Sequence, residues 1–406
     1  MLLERSRAGT YRVQAFRTAA TVVAGMPPTE LSSRLAAGTL GELPGLGPAT
    51  VGVVTQAADG ELPAYLASLQ EQAAVSLAPG GEGLYAALTG DLHSHSDWSD
   101  GGSPIQEMVL SAVELGQEWL ALTDHSPRLK VANGLSAERL RRQLGVVAGV
   151  NAALGQRFRL LSGIEVDIVD DGSLDQEPGL LAELDVVTAS VHSKLRMPRD
   201  PMTRRMLAAV ANPRVNVLGH ATGRLVEGSR GTRPQSEFDA EAVFAACVEH
   251  DVAVEINSRP ERCDPPDDLV VIARDLGCLF AIDSDAHAPG QLDMKAYGCE
   301  RATRLGIPAE RIVTTWPVDQ LLEWAARGRC ARRSGRESDV AGVEVCDRGR
   351  AEERHRAPHL PRQDVGHPLD ASLPAGHEAE EVGAPDQRAR RAEGDRGHDI
   401  GARHDA

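Results

Sequence analysis

Seven short apolar runs recur in the middle of the chain, and each one ends in polar residues. Their composition is typical of strands buried on both faces of a parallel sheet. They occupy residues 90–95, 119–125, 159–168, 186–192, 215–220, 252–258 and 279–287. Stretches with helical periodicity separate them, over 104–116, 136–154, 201–211, 239–250 and 266–277. This alternation predicts repeated β–α units, an α/β fold whose parallel strands form a barrel.

The pattern changes at both ends of this region. Residues 1–78 are rich in Ala and Leu with helical periodicity, which predicts a small all-α domain. A Gly-containing linker over 79–89 joins it to a barrel domain over 90–327. Residues 328–406 are rich in charged residues, Gly and Pro and have almost no aromatic residues. This composition predicts a disordered C-terminal tail that cannot bury a core.

Composition narrows the possible classes of protein. A formal net charge of −16 argues against a protein that coats nucleic acid with a broad basic surface, although it allows local phosphate contacts. The six cysteines are scattered without a C-x-x-C pair, so reduced thiols are the simplest interpretation. The N-terminus lacks an apolar signal region, and no apolar run approaches the ~18–20 residues of a membrane span. We therefore expect a cytoplasmic protein without membrane contact.

The polar residues at the strand ends are of metal-binding types. Seven of the 13 histidines lie in the barrel region, and six of these seven lie within or end an apolar run. A single such histidine is more often a hydrogen-bonded core residue, but six at corresponding strand ends indicate one shared site. The seventh, His250, ends a predicted helix and belongs to the opposite face. The candidate metal ligands are His93, His95, Asp100, His125, Glu165, His192, His220, Asp285 and His287.

Nine candidate ligands are too many for one ion, because a tetrahedral zinc site uses four. They fit two or three adjacent divalent cations bridged by carboxylates such as Glu165. A mixed nitrogen and oxygen set suits Zn²⁺ or Mn²⁺, with Fe²⁺ as a further alternative, and the spacing does not choose among them. Adjacent cations are suited to phosphoryl transfer, because they stabilise both the attacking and the leaving oxygen.

The motifs in this region resemble the PHP (polymerase and histidinol phosphatase) phosphoesterases. The matching segments are "DLHSHSDWSDG", "ALTDHS", "GIEVDI", "ASVHS", "LGHATGR" and "DSDAH". The resemblance covers residues 90–327 and implies a distorted (β/α)7 TIM-like barrel with a trinuclear metal centre held by the nine candidate ligands. It implies one ion at His93, His95, Glu165 and Asp285, a second at Glu165, His192 and His220, and a third at Asp100, His125 and His287.

Within that family, the chain is most similar to the PHP domain of bacterial family X DNA polymerases. The segments "WSDG", "GHATGRL" and "EINSRPERCD" carry this similarity, although the family usually has Leu where Cys263 stands. The helical domain supports it, since "LPGLGPAT" over 43–50 resembles a helix-hairpin-helix turn. Gly45 and Gly47 would let the backbone amides approach a DNA phosphate at the next helix start. The alternative is an ordinary Gly-rich connection between helices.

Two features separate the chain from those polymerases. Fewer than 20 residues lie between the helical domain and His93, whereas a nucleotidyltransferase domain needs about 100 or more. The helical domain also has no lysine, which Schiff-base chemistry on an abasic sugar requires. We therefore expect neither polymerase nor lyase activity.

Positive side chains near the strand ends are candidates for holding a substrate phosphate. Lys194 and Arg224 are the catalytic candidates, and Asp124 is expected to orient a ligand histidine. The candidate substrate-binding residues are Asn257, Arg259 and Arg262. Each cation has the alternative of an ordinary surface charge.

Three functions fit this sequence. The first is a DNA end-processing phosphoesterase, acting as a 3′–5′ exonuclease, a 3′-phosphatase or an abasic-site nuclease in repair. The second is a small-molecule phosphatase of the histidinol-phosphatase type. The third, from another class, is a non-catalytic DNA-binding scaffold, against which the intact set of nine candidate ligands weighs. The expected partners are accordingly DNA and a phosphorylated substrate; the oligomeric state is not predicted.

Overall fold

The structure is a computed structural model that describes residues 1–228 and 231–330, with the side chains up to residue 327. A parallel sheet is its central element, and within the described residues it contains six regular strands in sequential order. They are β1 (Trp119–Leu122), β2 (Arg159–Asp167), β3 (Val186–Ser190), β4 (Val217–Leu218), β5 (Ala253–Asn257) and β6 (Phe280–Asp283). All five neighbouring pairs are parallel, which confirms the predicted α/β fold. The predicted tail from 331 onward lies outside the described residues.

The first predicted strand, residues 90–95, is irregular. Its backbone still bonds to β1 through Ala121 N to Asp91 O at 2.8 Å, and to the segment after β6 through His95 N to Ala286 O at 2.8 Å. It therefore lies between the two outer strands of the sheet. The amide of Leu92 donates to the Asp283 carboxylate at 2.9 Å instead of to a neighbouring strand. Buried carboxylates thus replace part of the ladder, which explains why six regular strands form where seven are predicted.

Helices cover the barrel and form the N-terminal region. The N-terminal helices are α1 (Leu2–Arg5), α2 (Thr10–Ala24), α3 (Pro28–Ala37), α4 (Pro48–Ala58), α5 (Ala64–Ala73) and α6 (Glu82–Ala87). The helices of the barrel region are α7 (Ile105–Glu114), α8 (Ala137–Leu154), α9 (Pro178–Leu181), α10 (Arg199–Val210), α11 (Ala240–Glu249), α12 (Asp267–Leu276), α13 (Lys295–Arg304) and α14 (Val318–Cys330). Side-chain caps fix two starts, since Ser136 accepts from Arg139 N and Asp239 from Ala242 N.

The interior of the barrel is apolar near the amino ends of its strands. Inward residues there come from every strand and from the irregular segment, and the last helix, α14, covers them with Leu321 and Trp324. These inward residues are Leu92, Trp119, Ala121, Leu161, Val186, Val217, Ala253 and Ala281. Because side chains alternate along a strand, the residues two and four positions further on face the same interior. The apolar floor therefore fixes which residues point into the opposite mouth.

The N-terminal helices have a small core of their own. Ala19 of α2, Leu40 and Leu46 form it, and the partly buried side chains of Leu31, Leu35 and Val51 pack against it. Leu46 is buried between the exposed Gly45 and Gly47, so it anchors the turn that precedes α4. No helix among the described residues is long and apolar enough to cross a membrane.

Candidate metal centre

The alternation of side chains along each strand brings the candidate ligands to one mouth of the barrel. On β2, Leu161 belongs to the apolar floor, and Glu165 follows four positions later on the same face. On β5, Ala253 belongs to the floor and is followed on the same face by Glu255 and Asn257. The carboxyl end of each strand therefore places its polar side chain into a shared, water-poor space above an apolar floor.

The structure brings all nine predicted ligands together. In each of four overlapping groups, the nitrogen and oxygen atoms lie within 4.8 Å of one another, close enough to hold a metal ion. The groups are His93, Glu165 and His220; His93, His95 and Asp285; His125, Glu165 and His192; and His95, Asp100, His125 and His287. We call the last of these the outer group, because it includes the exposed Asp100 and the partly exposed His287.

Glu165 lies at the centre of the site. Its Oε1 atom is 2.8 Å from His220 Nε2 and 3.2 Å from His192 Nε2. Its Oε2 atom is 2.8 Å from His125 Nδ1 and 3.3 Å from His93 Nε2. One buried carboxylate therefore faces four imidazoles with both oxygens, which is the arrangement of a bridging ligand.

Asp285 forms a second acidic point in the site. Its Oδ1 atom is 3.4 Å from His95 Nε2, and its Oδ2 atom is 3.0 Å from Arg262 Nε and accepts from Asn257 Nδ2 at 3.1 Å. The residue has a backbone φ of 50°, a left-handed conformation that Asp adopts more readily than most residues. Its partners hold it there with 1% of its surface exposed.

Charges in the site perturb one another strongly. Burial opposes ionisation of Glu165, but His192, His93, His125 and His220 hold the pKa of its carboxyl well below the usual range. Burial and the neighbouring His287 and His125 lower the pKa of His95 well below its ordinary value. Although burial opposes it, Glu165 raises the pKa of His93, His125 and His192 above the ordinary value. Histidine binds metals in its neutral form, so cation binding at the site would release protons from these imidazoles.

The buried polar atoms of the site test whether cations fit there. Within the described residues, several of them have no hydrogen-bond partner, because the close contacts are not aligned as hydrogen bonds. They include His93 Nε2, His125 Nδ1, both carboxylate oxygens of Glu165, and both ring nitrogens of His95, His192 and His220. Buried polar atoms in proteins nearly always have partners, so such a concentration at one place fits bound cations. The mixed imidazole and carboxylate set suits divalent ions such as Zn²⁺ or Mn²⁺.

Two carboxylates that orient histidines escape prediction from the sequence. Glu255 Oε1 lies 2.5 Å from His93 Nδ1, and Glu255 also accepts from the backbone amide of His220. Asp167 Oδ1 accepts from His192 N at 3.0 Å and lies 3.5 Å from His192 Nδ1. A carboxylate on the distal ring nitrogen fixes which nitrogen faces the site. The one sequence signal that could have identified Glu255 is its place as an acid inside the apolar run "VAVEINS".

The three predicted catalytic residues have other partners. Asp124 accepts from Ser96 N at 2.8 Å, from the hydroxyls of Ser96 and Ser99, and from Gln143. It therefore braces the turn between His95 and Asp100, where the sequence predicts contact with a histidine ring. Lys194 Nζ pairs with Asp170 at the surface. Arg224 donates to the backbone carbonyls of Arg262 and Cys263, so as it stands it supports the loop after β5.

The three predicted substrate-binding residues surround Asp285. Besides the contacts of Asn257 and Arg262 given above, Arg259 Nη1 donates to the Asp285 carbonyl at 3.3 Å and lies 3.0 Å from His287 Nδ1. The Arg262 guanidinium is buried, and its Nε and Nη1 lack a hydrogen bond within the described residues. Two arginines therefore lie directly at the edge of the site.

The two glycines of the predicted DNA-binding turn differ in their constraints. Gly45 has φ 88°, and a Cβ there would lie 2.6 Å from Thr18 Cγ2, so only glycine fits. Gly47 precedes α4 with φ −109° and has open space around a Cβ. Its amide bonds to Thr50 Oγ1 at 3.0 Å, which closes the start of the helix.

Comparison with known proteins assigns the family. The model of the PHP domain matches residues 91–259. The DNA polymerase/3′-5′ exonuclease PolX of Bacillus subtilis (strain 168) is 38% identical over 217 residues, which cover 53% of this chain and 37% of that protein. A protein of Thermoanaerobacter sp. (strain X514), named "Probable phosphatase", is 30% identical over 237 residues, which cover 55% of this chain and 89% of that protein.

A solved structure completes the comparison. Histidinol phosphate phosphatase from Lactococcus lactis subsp. lactis, in complex with zinc, L-histidinol and phosphate, aligns with a TM-score of 0.38 and 19% identity over 53% of this chain and 93% of that one. From the sequence relatives, the chain belongs to the PHP domain family of metal-dependent phosphoesterases, as its motifs predict. It spans just over a third of the length of PolX.

Proposed function

We propose that this chain is a phosphoesterase that acts on DNA ends, as a 3′–5′ exonuclease, a 3′-phosphatase or an abasic-site nuclease in the cytoplasm. The observation that carries the proposal is the 38% identity to PolX, whose name includes a 3′-5′ exonuclease, against 30% for the phosphatase relative. The exposed Gly45–Gly47 turn supports it, because such turns suit DNA phosphates.

The nine clustered residues would hold two or three divalent cations. When bound, such cations polarise a phosphoryl oxygen and activate water for in-line attack. The chain's own contribution is to fix the ligands: Glu165 bridges the groups, while Glu255 and Asp167 orient His93 and His192. Arg259 and Arg262 would neutralise the substrate phosphate beside Asp285.

The test compares substrates on the full chain loaded with Mn²⁺. A 5′-labelled duplex with a recessed 3′ end, a 3′-phosphorylated duplex and an abasic-site duplex are incubated beside L-histidinol phosphate. We expect at least one DNA substrate to be cleaved with a higher kcat/KM than histidinol phosphate. A Glu165→Gln variant, prepared in parallel, identifies contaminating nuclease, because it should lose activity on every substrate.

A small-molecule phosphatase is the second candidate. The chain covers 89% of the Thermoanaerobacter phosphatase relative but only 37% of PolX, which favours a self-sufficient phosphatase barrel. Preferential hydrolysis of histidinol phosphate or another small phosphomonoester would support this candidate and contradict action on DNA ends. DNA binding without turnover of any substrate would instead support a scaffold.

The helix-hairpin-helix turn has its own test. We propose that the amides at the start of α4 bind a DNA phosphate, and Gly47→Ala would place a methyl group beside that approach without a collision inside the protein. We expect weaker binding of a fluorescent duplex to the full-length variant in fluorescence anisotropy. Gly52→Ala on the same helix, also in open space, is the matched control. Equal affinity of both variants would leave the turn a plain helix connection.

A further inference from the structure

Two loops that carry outer-group ligands are joined to each other and to the N-terminal helices. Asp100 and His287 are the outer-group residues with partial exposure. Ser103 lies three residues after Asp100, and Gly290 lies three residues after His287. The loops are joined to each other, because Gly102 N donates to His287 O at 2.7 Å. Whatever holds Ser103 and Gly290 therefore constrains both ligands.

Glu4 of α1 holds the loop after His287. Its Oε2 atom accepts from Gly290 N at 3.0 Å, and its side chain is 5% exposed. The backbone of Gly290 lies so close to the first helix that no side chain fits there. A Cβ on Gly290 would lie 2.0 Å from Met1 O and 2.8 Å from Glu4 Cβ. The glycine therefore permits direct contact between the first helix and the ligand-bearing loop.

Arg17 of α2 connects Glu4 to the loop after Asp100. Its Nη2 atom donates to Glu4 Oε1 at 2.7 Å and also to the Ser103 hydroxyl. Its Nη1 atom donates to Glu107 Oε2 at 2.9 Å on α7. A planar guanidinium can hold such a fork of acceptors, which an ammonium group cannot reproduce. One side chain thus fastens the N-terminal helices to the barrel beside Asp100.

The other three groups are anchored differently. His93 is oriented by Glu255 of β5, and His192 by Asp167 of β2, so residues of the sheet itself hold them. Asp100 and His287 lie on loops beyond the strand ends, where the backbone is not held by the sheet. The contacts with the N-terminal helices add a second constraint to that of Asp124 on the turn before Asp100 and that of Arg259 beside His287.

We propose that Glu4 and Arg17 are positioning residues for the outer group, so that the N-terminal helices set the affinity of one metal ion in the barrel. The inference rests on the proposed metal centre and deepens it. The N-terminal helices would then contribute to metal binding in the barrel, in addition to any contact with DNA. Neither residue touches the site; both act through the loops of Asp100 and His287.

The experiment measures stepwise Mn²⁺ binding to the metal-free full-length chain, with free Mn²⁺ followed by electron paramagnetic resonance. Arg17→Gln should weaken one binding step by about 10-fold or more, in the range seen when residues behind metal ligands are replaced. The other steps should keep their affinity. Arg17→Lys, which restores the charge beside Glu4 but not the fork, should fall between the variant and the wild type.

Controls separate positioning from general damage. Arg12→Gln removes the same charge from an exposed position on the same helix and should leave every step unchanged. Ser103→Ala, which deletes only the hydroxyl that Arg17 contacts, should reproduce the loss in one step if Arg17→Gln fails to fold. Unchanged Mn²⁺ binding in both variants, or equal weakening of every step, would overturn the inference. Absence of Mn²⁺ binding by the wild-type chain would instead contradict the proposed metal centre itself.

Discussion

Single carboxylates placed in apolar surroundings define this site at the scale of the residue. Glu165 lies between the core residues Ile164 and Val166, and Glu255 lies between Val254 and Ile256; each carboxylate residue is at most 1% exposed. An unpaired buried carboxylate is costly, so such residues persist where partners compensate for the lost water. Here the partners are imidazoles: Glu165 faces four of them, and Glu255 fixes His93 from behind.

Glu255→Gln tests the role of that supporting carboxylate. The amide keeps the shape but removes the negative charge that fixes the His93 ring, so we expect total metal affinity or turnover to fall by about 10- to 100-fold. Inductively coupled plasma mass spectrometry after dialysis against a weak chelator measures the bound metal. Glu249→Gln, exposed at the end of α11, is the control and should match the wild type. Full metal retention in the Glu255→Gln variant would mean that Glu255 does not support metal binding.

The buried cysteines of the barrel have strongly shifted acidities. Burial raises the pKa of Cys278 and of Cys299 to about 12, so at pH 8 only about one thiol in ten thousand is ionised. Because the thiolate is the reactive form, we expect both residues to resist iodoacetamide in the native protein. Among the four cysteines whose side chains the structure describes, Cys263 is only partly buried and should react first. Peptide mapping by mass spectrometry, with the urea-unfolded chain as reference, would show whether the order is reversed.

The elements follow from the sequence more completely than the contacts do. Each predicted helix between the strands lies within three residues of the observed bounds; 136–154, for example, becomes Ala137–Leu154. Six of the seven predicted strands form, because uniformly apolar runs between amphipathic helices leave few alternatives. The irregular segment 90–95 is the exception, since its departure depends on Asp283 and Ser284, which are distant in the sequence.

Helix α14 is the element that closes the floor of the barrel, and Trp324 is its main contact. The side chain is 2% exposed, packs with Leu321 into the strand interior, and donates from Nε1 to Asp251 O at 3.1 Å. Trp324→Ala should lower the free energy of unfolding by about 3–5 kcal/mol, measured by urea denaturation. Val248→Ala on the exposed side of α11 should cost less than about 0.5 kcal/mol. If Trp324→Ala also lowered the free energy of unfolding by less than about 0.5 kcal/mol, α14 would not close the floor of the barrel.

At the scale of the whole molecule, the site depends on residues that are far apart in the sequence. The sequence predicts the nine clustered ligands because they lie at, or within a few residues of, the carboxyl ends of the apolar runs. It does not predict Glu4 or Arg17, since their partners Gly290 and Ser103 become neighbours only when the helical region packs against the barrel. For the same reason, the surface pairing of Lys194 with Asp170 is not visible in the motif that made Lys194 a candidate.

Metal removal should lower the stability of the whole fold, because six imidazoles and three carboxylates from the strand ends converge on the site. A cation that binds only the folded state stabilises it by about 2.7 kcal/mol when present at 100 times its Kd. With an unfolding entropy of about 2.1 cal/mol/K per residue, 1 kcal/mol shifts the melting temperature of about 330 folded residues by roughly 1.4 °C, so each bound ion should raise it by about 4 °C. Differential scanning fluorimetry of the chelator-treated protein, with and without added Mn²⁺, measures this shift. The Glu165→Gln variant, which lacks the shared carboxylate, should show a much smaller response to Mn²⁺. Coincident melting curves of the metal-free and Mn²⁺-loaded wild type would mean that the clustered side chains do not bind the ion, because a folded-state ligand must stabilise the fold it binds.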